Sequence, residues 1–97
     1  NAGNDTEDRV YILSVSETEQ YLVKFGAMQC KATTYTEEQG AYVKVSDNCC
    51  WWWLRSPGNT QYKAVRIGSG GTIEFAGDNV DYLYNAVRPA MWIDLSA

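Results

Sequence analysis

Histidine is absent from this 97-residue chain. That removes the commonest general base and the commonest zinc ligand. Cysteine is scarce: Cys30, Cys49 and Cys50 are all there are. With one adjacent pair and no second pair, the cysteines do not make a four-ligand metal site. Positive charge is also short, with eight Lys and Arg against 12 Asp and Glu and a formal net charge of −4. Such an acidic surface argues against a nucleic-acid backbone as partner. No apolar run approaches the ~18 residues of a membrane span, and no repeat of 20 to 50 residues is present. Asn1 is not an initiator, so the chain reads as processed or as an interior piece, and a missing targeting signal carries little weight. Asn4-Asp5-Thr6 fits a glycosylation sequon that would matter only in a eukaryotic secretory host.

What is present is aromatic. Residues 51 to 58 read WWWLRSPG. A strand here sends Trp51 and Trp53 to one face and Trp52 to the other, so both faces need cover. Pro57-Gly58 ends the strand in a turn. The expected core is Trp51, Trp53, Trp92, Val65, Ile67 and Ile73, and a Trp-lined cleft is the competing reading. Apolar content of 45% supports one globular domain with a small core.

Along the chain, residues 1 to 8 read as a tail or linker and 9 to 97 as a single domain. Residues 9 to 15, RVYILSV, read as a buried strand. Ser16 and Glu19 form a capping-box pattern that opens a short helix through about Val23, with Gly26 at its end. Thr33 or Thr34 caps a second short helix through Glu37 and Glu38, terminated by Gly40. Ala41 to Val45 is a minor strand, and Ser46 to Asn48 a polar loop. In the second half, glycines punctuate short apolar pieces at 64 to 67, 72 to 75 and 86 to 93, the rhythm of an antiparallel meander. Val65, Ile67 and Ile73 fall on one face, and Arg66, Thr72 and Glu74 on the other. Gly70-Gly71 is a hairpin turn, and Pro89 marks a strand start, a bulge or an edge. The fold class is α+β, mostly short antiparallel strands with two short helices.

WWWLRSPG, the spaced set Val65, Ile67, Gly71, Ile73, Gly77 and Val80, and the closing Val87-Arg88-Pro89-Ala90-Met91-Trp92-Ile93 together resemble a bacterial domain of unknown function. That domain occurs in secreted and surface proteins of gut Firmicutes, and its signature pairs a WWLRSPG strand with a VRPALWI strand. Met91 replaces the usual leucine. Asp8-Arg9-Val10-Tyr11-Ile12-Leu13-Ser14, Cys30 to Thr33 and Gly40-Ala41-Tyr42 agree as well, so the resemblance covers residues 6 to 95. It implies a small C-type-lectin-like domain, similar to the superfold shared by sulfatase-modifying enzymes and by the variable proteins of diversity-generating retroelements. Helical segments that usually precede the first strand are missing, so the chain reads as the C-terminal part of a larger domain. Cys49 and Cys50 do not match the catalytic cysteine pair of the sulfatase-modifying enzymes, and fold analogy alone supplies no chemistry.

Candidate residues follow. A disulfide from Cys30 to Cys50, or to Cys49, is expected, because adjacent cysteines rarely bond each other and either bridge closes a loop of about 20 residues worth ~3 kcal/mol. Arg55 and Arg88 could grip a carboxylate ligand, but their apolar settings favour pairing with protein groups. Binding is expected on the segment from Thr60 to Asn85. Tyr62, Arg66, Glu74, Phe75, Asn79, Asp81, Tyr82 and Tyr84 form its contact set, a tyrosine-rich palette of rigid rings beside adaptable polar groups. Asp78, Asn79 and Asp81 offer oxygens to Ca²⁺, although Glu-Pro-Asn and Trp-Asn-Asp motifs are lacking and no metal or other cofactor is assigned. Glu37, Glu38 and Asp94 are solvated charges. The resulting expectation is a non-enzymatic recognition module, secreted or on a bacterial surface, that takes a protein or glycan ligand. The alternatives are a self-assembling structural subunit and a degenerate enzyme of the sulfatase-modifying type.

Overall fold

Residues 49 to 54 set the architecture through the parity of their side chains. Cys50, Trp52 and Leu54 point inward and are almost completely buried, while Trp51 and Trp53 are half-buried on the other face. This is the two-residue alternation of a strand. It runs opposite to the expectation that Trp51 and Trp53 would join the core. The reason is packing: across β4 (Cys49–Cys50) and β5 (Trp52–Pro57), Cys50, Trp52 and Leu54 share one buried cluster with Leu13, Val65 and Ile67, which leaves Trp51 and Trp53 on the other face. The computed structural model describes residues 10 to 91. The expected tail at 1 to 8, the sequon at Asn4 and the expected roles of Trp92, Ile93 and Asp94 lie outside the described residues.

Strands β5, β6 (Lys63–Ile67) and β7 (Ile73–Asn79) form an antiparallel meander, as the glycine rhythm indicates. Trp52 pairs with Ile67 and Trp53 with Arg66, and Arg66 in turn faces Glu74 on β7. Val65 and Ile67 are buried, and the half-buried Ile73 packs against them. The β6–β7 hairpin closes through Gly68 N–H to Thr72 O at 2.9 Å and Gly71 N–H to Gly68 O at 2.9 Å. Strand β7 runs four residues past the expected end at Phe75, and Gly77 makes that possible. Its φ is +79°, and a Cβ there would fall on the carbonyl oxygen of Ala64. Only glycine takes this conformation and this approach together.

The first half makes two smaller antiparallel sheets. Strand β1 (Val10–Ile12) pairs with β8 (Pro89–Met91), so Pro89 opens a strand. Contrary to the reading of a buried strand, Val10 is exposed and Tyr11 and Ile12 are half-buried; of the segment's described residues only Leu13 is buried, with Tyr11 and Val15 packing against the core from its edge. A two-stranded ribbon has no third strand to cover its outer face. Strand β4 lies between β2 (Cys30–Lys31) and β3 (Val43–Lys44). The run from 86 to 93 is not one strand: Ala86 makes a parallel bridge to Trp52, and β8 starts only at Pro89.

Both helices start at hydroxyl caps. Helix α1 (Val15–Tyr21) has its capping box at Ser14 and Glu17, two residues before the expected Ser16 and Glu19. The two S-x-x-E patterns overlap in the sequence, and contacts to β5 choose between them. Arg55 N–H donates to Leu13 O at 2.9 Å, and Val15 N–H donates to Ser56 Oγ at 2.9 Å. Arg55 also holds the capping Glu17, at 2.6 Å and 3.3 Å from its two guanidinium nitrogens. After a 3-10 turn (Val23–Phe25), Gly26 ends the element in the left-handed region. Thr33 caps α2 (Thr34–Glu38) by accepting from Thr36 N–H.

Trp52 occupies the centre. It is 0% exposed, and its Nε1–H donates to Met28 O at 3.1 Å. The guanidinium of Arg88 stands 4.7 Å from the indole centroid and donates to Ala27 O at 2.9 Å. Arg55 thus pairs with an acid, and Arg88 with a carbonyl and an aromatic ring. Trp52→Ala should cost about 3–5 kcal/mol in urea denaturation, with Trp53→Ala costing clearly less. Burial alone would raise the Glu17 carboxyl, but hydrogen bonds from Arg55 and the Ser14 N–H, with the Arg55 charge, hold it below its ordinary value. A carboxylate with a lowered folded pKa contributes stability above the unfolded value of about 4.3, and loses it as pH falls through the folded value. Stability should therefore drop in acid below about pH 4.3, and Glu17→Gln should flatten that drop while costing roughly 0.5–1 kcal/mol at neutral pH.

Candidate functional site

The β3–β4 pairing brings together two aromatic residues far apart in the sequence. Val43 faces Cys50 and Lys44 faces Cys49, so the residue before β3 meets the residue after β4. Those residues are Tyr42 and Trp51, whose rings stack with centroids 4.1 Å apart and planes 22° apart. Tyr82 continues the stack at 6.4 Å from Trp51, and Tyr84 meets Tyr82 edge-on at 5.2 Å. Offset stacks and edge contacts are the arrangements that the ring quadrupole favours. The tyrosine segment is fixed to the sheet by Tyr42 N–H to Tyr84 O at 2.9 Å and Ala86 N–H to Trp51 O at 2.8 Å.

Arg66 is the polar hub beneath these rings. Its guanidinium carbon stands 4.0 Å from the Trp51 centroid. Its Nε donates to Glu74 at 2.7 Å, and its Nη1 lies 3.0 Å from Asp78 and 3.4 Å from the Asn85 carbonyl oxygen. The Asn85 amide donates to Asp78 at 3.1 Å, closing the network. Among the described residues no buried side-chain nitrogen or oxygen lacks a partner. The strand parity explains the cluster: Arg66 lies on the face opposite Val65 and Ile67, shared with Glu74 opposite it on β7.

Above the hub, Gly40, Ala41, Tyr42, Val43, Trp51, Tyr82 and Tyr84 line an open cleft of about 460 Å³. Tyr42, Tyr82 and Tyr84 stay 39%, 38% and 52% exposed, so their rings supply its surface. A second groove of about 400 Å³ lies on the other side of the 82–85 segment, between α2 and residues 83 to 89. Tyr35, Leu83 and Val87 border it and are well exposed. Tyr82 and Tyr84 line the first hollow, and Leu83 and Asn85 the second.

Of the expected contact set, Arg66, Glu74, Tyr82 and Tyr84 come together here. Arg66 and Glu74 are not free selectors, because they are spent on each other and on Asp78. Tyr62 lies in the β5–β6 turn and Phe75 in the middle of β7, both exposed, and the cluster forms without them. Asn79 and Asp81 are exposed at and just beyond the end of β7. Asp78 is engaged with Arg66 and Asn85, and no three acids, cysteines or histidines among the described residues are grouped to hold a metal. Tyr42 and Trp51 lie outside the expected contact set, Trp51 agreeing with the competing reading of a Trp-lined cleft, and Asn85 closes the expected segment. The signal for the first two was present: a short hairpin around the polar loop Ser46 to Asn48 places 42 opposite 51.

The cysteines are free thiols, so the expected bridge is not formed. Cys30 faces Cys50 in the β2–β4 register, and Cys49 faces Lys31. Burial raises the Cys49 thiol, with Asp47 adding to it. Burial, followed by the neighbouring Cys30 thiol, pushes Cys50 up to about 12.

The chain belongs to the family described as Domain of unknown function (DUF6273), whose model matches residues 1–95. No curated protein and no solved structure matches the chain. No helix among the described residues is long and apolar enough to cross a membrane. Removing the hub by Arg66→Gln leaves two carboxylates and an amide without their cation. It should cost about 1–3 kcal/mol in thermal or urea unfolding and weaken the near-ultraviolet circular dichroism of the stacked rings.

Proposed function

We propose that the chain is a non-enzymatic recognition module, secreted or displayed on a bacterial surface, that takes a protein or glycan ligand in the cleft of Tyr42, Trp51, Tyr82 and Tyr84. The observation that carries this reading is the half-exposed aromatic stack held rigid from below by Arg66. Rings fixed by a network contribute contact area without a large ordering cost on binding. Aromatic side chains in such settings are common hot spots. The acids nearest the stack, Glu74 and Asp78, spend oxygens on Arg66 and Asn85, which favours a positioning role over acid–base work. The lectin-like reading of the fold and the placement with surface proteins of gut Firmicutes are part of this proposal. They rest on the WWWLRSPG and VRPAMWI motifs and on the α+β architecture.

Self-assembly is the second reading, and the second groove favours it. Leu83 is 80% exposed beside it, with Tyr35 and Val87 also open. An apolar surface of this kind suits contact with copies of the chain or with a preceding part of a larger domain.

Replacing Tyr42, Tyr82 and Tyr84 with serine should abolish capture of ligands selected from a displayed peptide library and from a glycan array, while the far-ultraviolet circular dichroism is retained. Tyr62→Ser should bind like the parent chain. Unchanged binding by the folded triple variant would place the interaction elsewhere. Sedimentation of the same variants, with Leu83→Ser added, separates the assembly reading from the cleft reading.

A further inference from the structure

The sheet β2-β4-β3 carries a pair of thiols that the binding reading does not use. We propose that Cys30 and Cys50 form a thiol–disulfide exchange site, oxidised by small disulfides of the oxidised-glutathione class, with Cys49 spared. The register carries the choice of partner. Cys30 and Cys50 are directly opposite in an antiparallel pair. Opposite residues share a face, with Cα atoms about 4.5–5.5 Å apart, inside the span a disulfide bridges. Cys50 Sγ lies 3.4 Å from the Cys30 carbonyl oxygen, on the Cys30 side of its strand. Cys49 is the next residue, so it points to the other face, and its Sγ lies 3.7 Å from Asp47 O. Adjacency in sequence leaves Cys49 and Cys50 equivalent as partners; the strand separates them.

Exposure sets the order of events. Cys30 is half-exposed, and Cys50 is buried. The Cys30 thiolate attacks a sulfur of the small disulfide, forming a mixed disulfide and expelling one small thiolate. The Cys50 thiolate then attacks Cys30 Sγ, forming the Cys30–Cys50 bond and expelling the second small thiolate. The two protons from the cysteines end on the two released thiols, so the protein pair is oxidised as one small disulfide is reduced. Burial, the largest cause of the raised Cys50 thiol, persists after Cys30 has formed the mixed disulfide, so the second step is the slow one and quickens as pH rises. The loop so closed contains α2, β3 and Tyr42, and it ends beside Trp51. Oxidation therefore ties β2 to β4, the strand whose other edge pairs with β3 and so brings Tyr42 to Trp51. The covalent assignment does not depend on the ligand reading.

The folded chain is incubated with oxidised glutathione at several pH values, quenched with alkylating reagent and mapped by non-reducing peptide mass spectrometry. The expected course is a glutathione adduct at Cys30 first, then a Cys30–Cys50 link with glutathione lost and Cys49 alkylated only after denaturation. Closure should be faster at higher pH. Cys50→Ser should stop at the Cys30 adduct, and Cys49→Ser should close like the parent. A Cys30–Cys49 link, a dimer through Cys30, or three unreacted thiols in the folded chain would overturn the assignment. Covalent closure without any change in ligand capture would leave the exchange site standing and remove only its effect on the cleft.

Discussion

The burial of Trp52 is the constraint on which the rest of this small domain depends. Its backbone pairs with Ile67 on one side and bridges to Ala86 on the other. Its indole nitrogen reaches the Met28 carbonyl, and Arg88 covers the ring while holding Ala27. One residue thus joins the meander, the segment before β8 and the connection that leads into β2. An indole nitrogen buried without an acceptor would be costly, so the Met28 carbonyl is fixed in place along with it. A chain of this length buries a modest core, and concentrating the joints on one large residue makes that core cooperative.

Setting Trp52 inward has an immediate consequence for its neighbours. Alternation sends Trp51 and Trp53 to the opposite face, where the meander supplies Arg66 rather than aliphatic cover. An arginine against an indole, neutralised by two carboxylates, is stable where a bare charge would not be. The same hub that satisfies this face also fixes Trp51 as the base of an aromatic stack, and Tyr42, Tyr82 and Tyr84 extend it into solvent. Core and candidate site are therefore two faces of one strand rather than separate features.

The two motif arginines show how sequence context and structure divide the explanation. Both sit among apolar residues, a setting that favours pairing with protein groups. Arg55 fixes the start of α1 by gripping the capping glutamate, and in doing so it selects between two overlapping capping patterns. Arg88 does its work against a ring and a carbonyl. Neither lines the aromatic cleft, so the two motif arginines are architectural, and the candidate site takes Trp51 from the motifs and its other rings from residues between and before them.

The sequence by itself determined the α+β class, the hydroxyl caps and glycine ends of the helices, the β5–β6–β7 meander, the strand start at Pro89 and the shared face of Val65 and Ile67. Each follows from local chemistry: a cap needs a side-chain oxygen, a left-handed turn needs glycine, and an alternating strand buries every second residue. It also marked Arg66, Glu74, Tyr82 and Tyr84, because their palette is local too. Only the tertiary structure decided which tryptophan is buried, since alternation separates Trp52 from Trp51 and Trp53 but does not say which face meets the core. Only the structure chose Ser14 over Ser16, because the choice rests on contacts with β5. Tyr42 joins the site through strand register, whereas Tyr62 lies outside the cluster because it falls in the β5–β6 turn. A register is a long-range fact, and a shift of one residue in the β3–β4 pair would have taken Tyr42 away from Trp51.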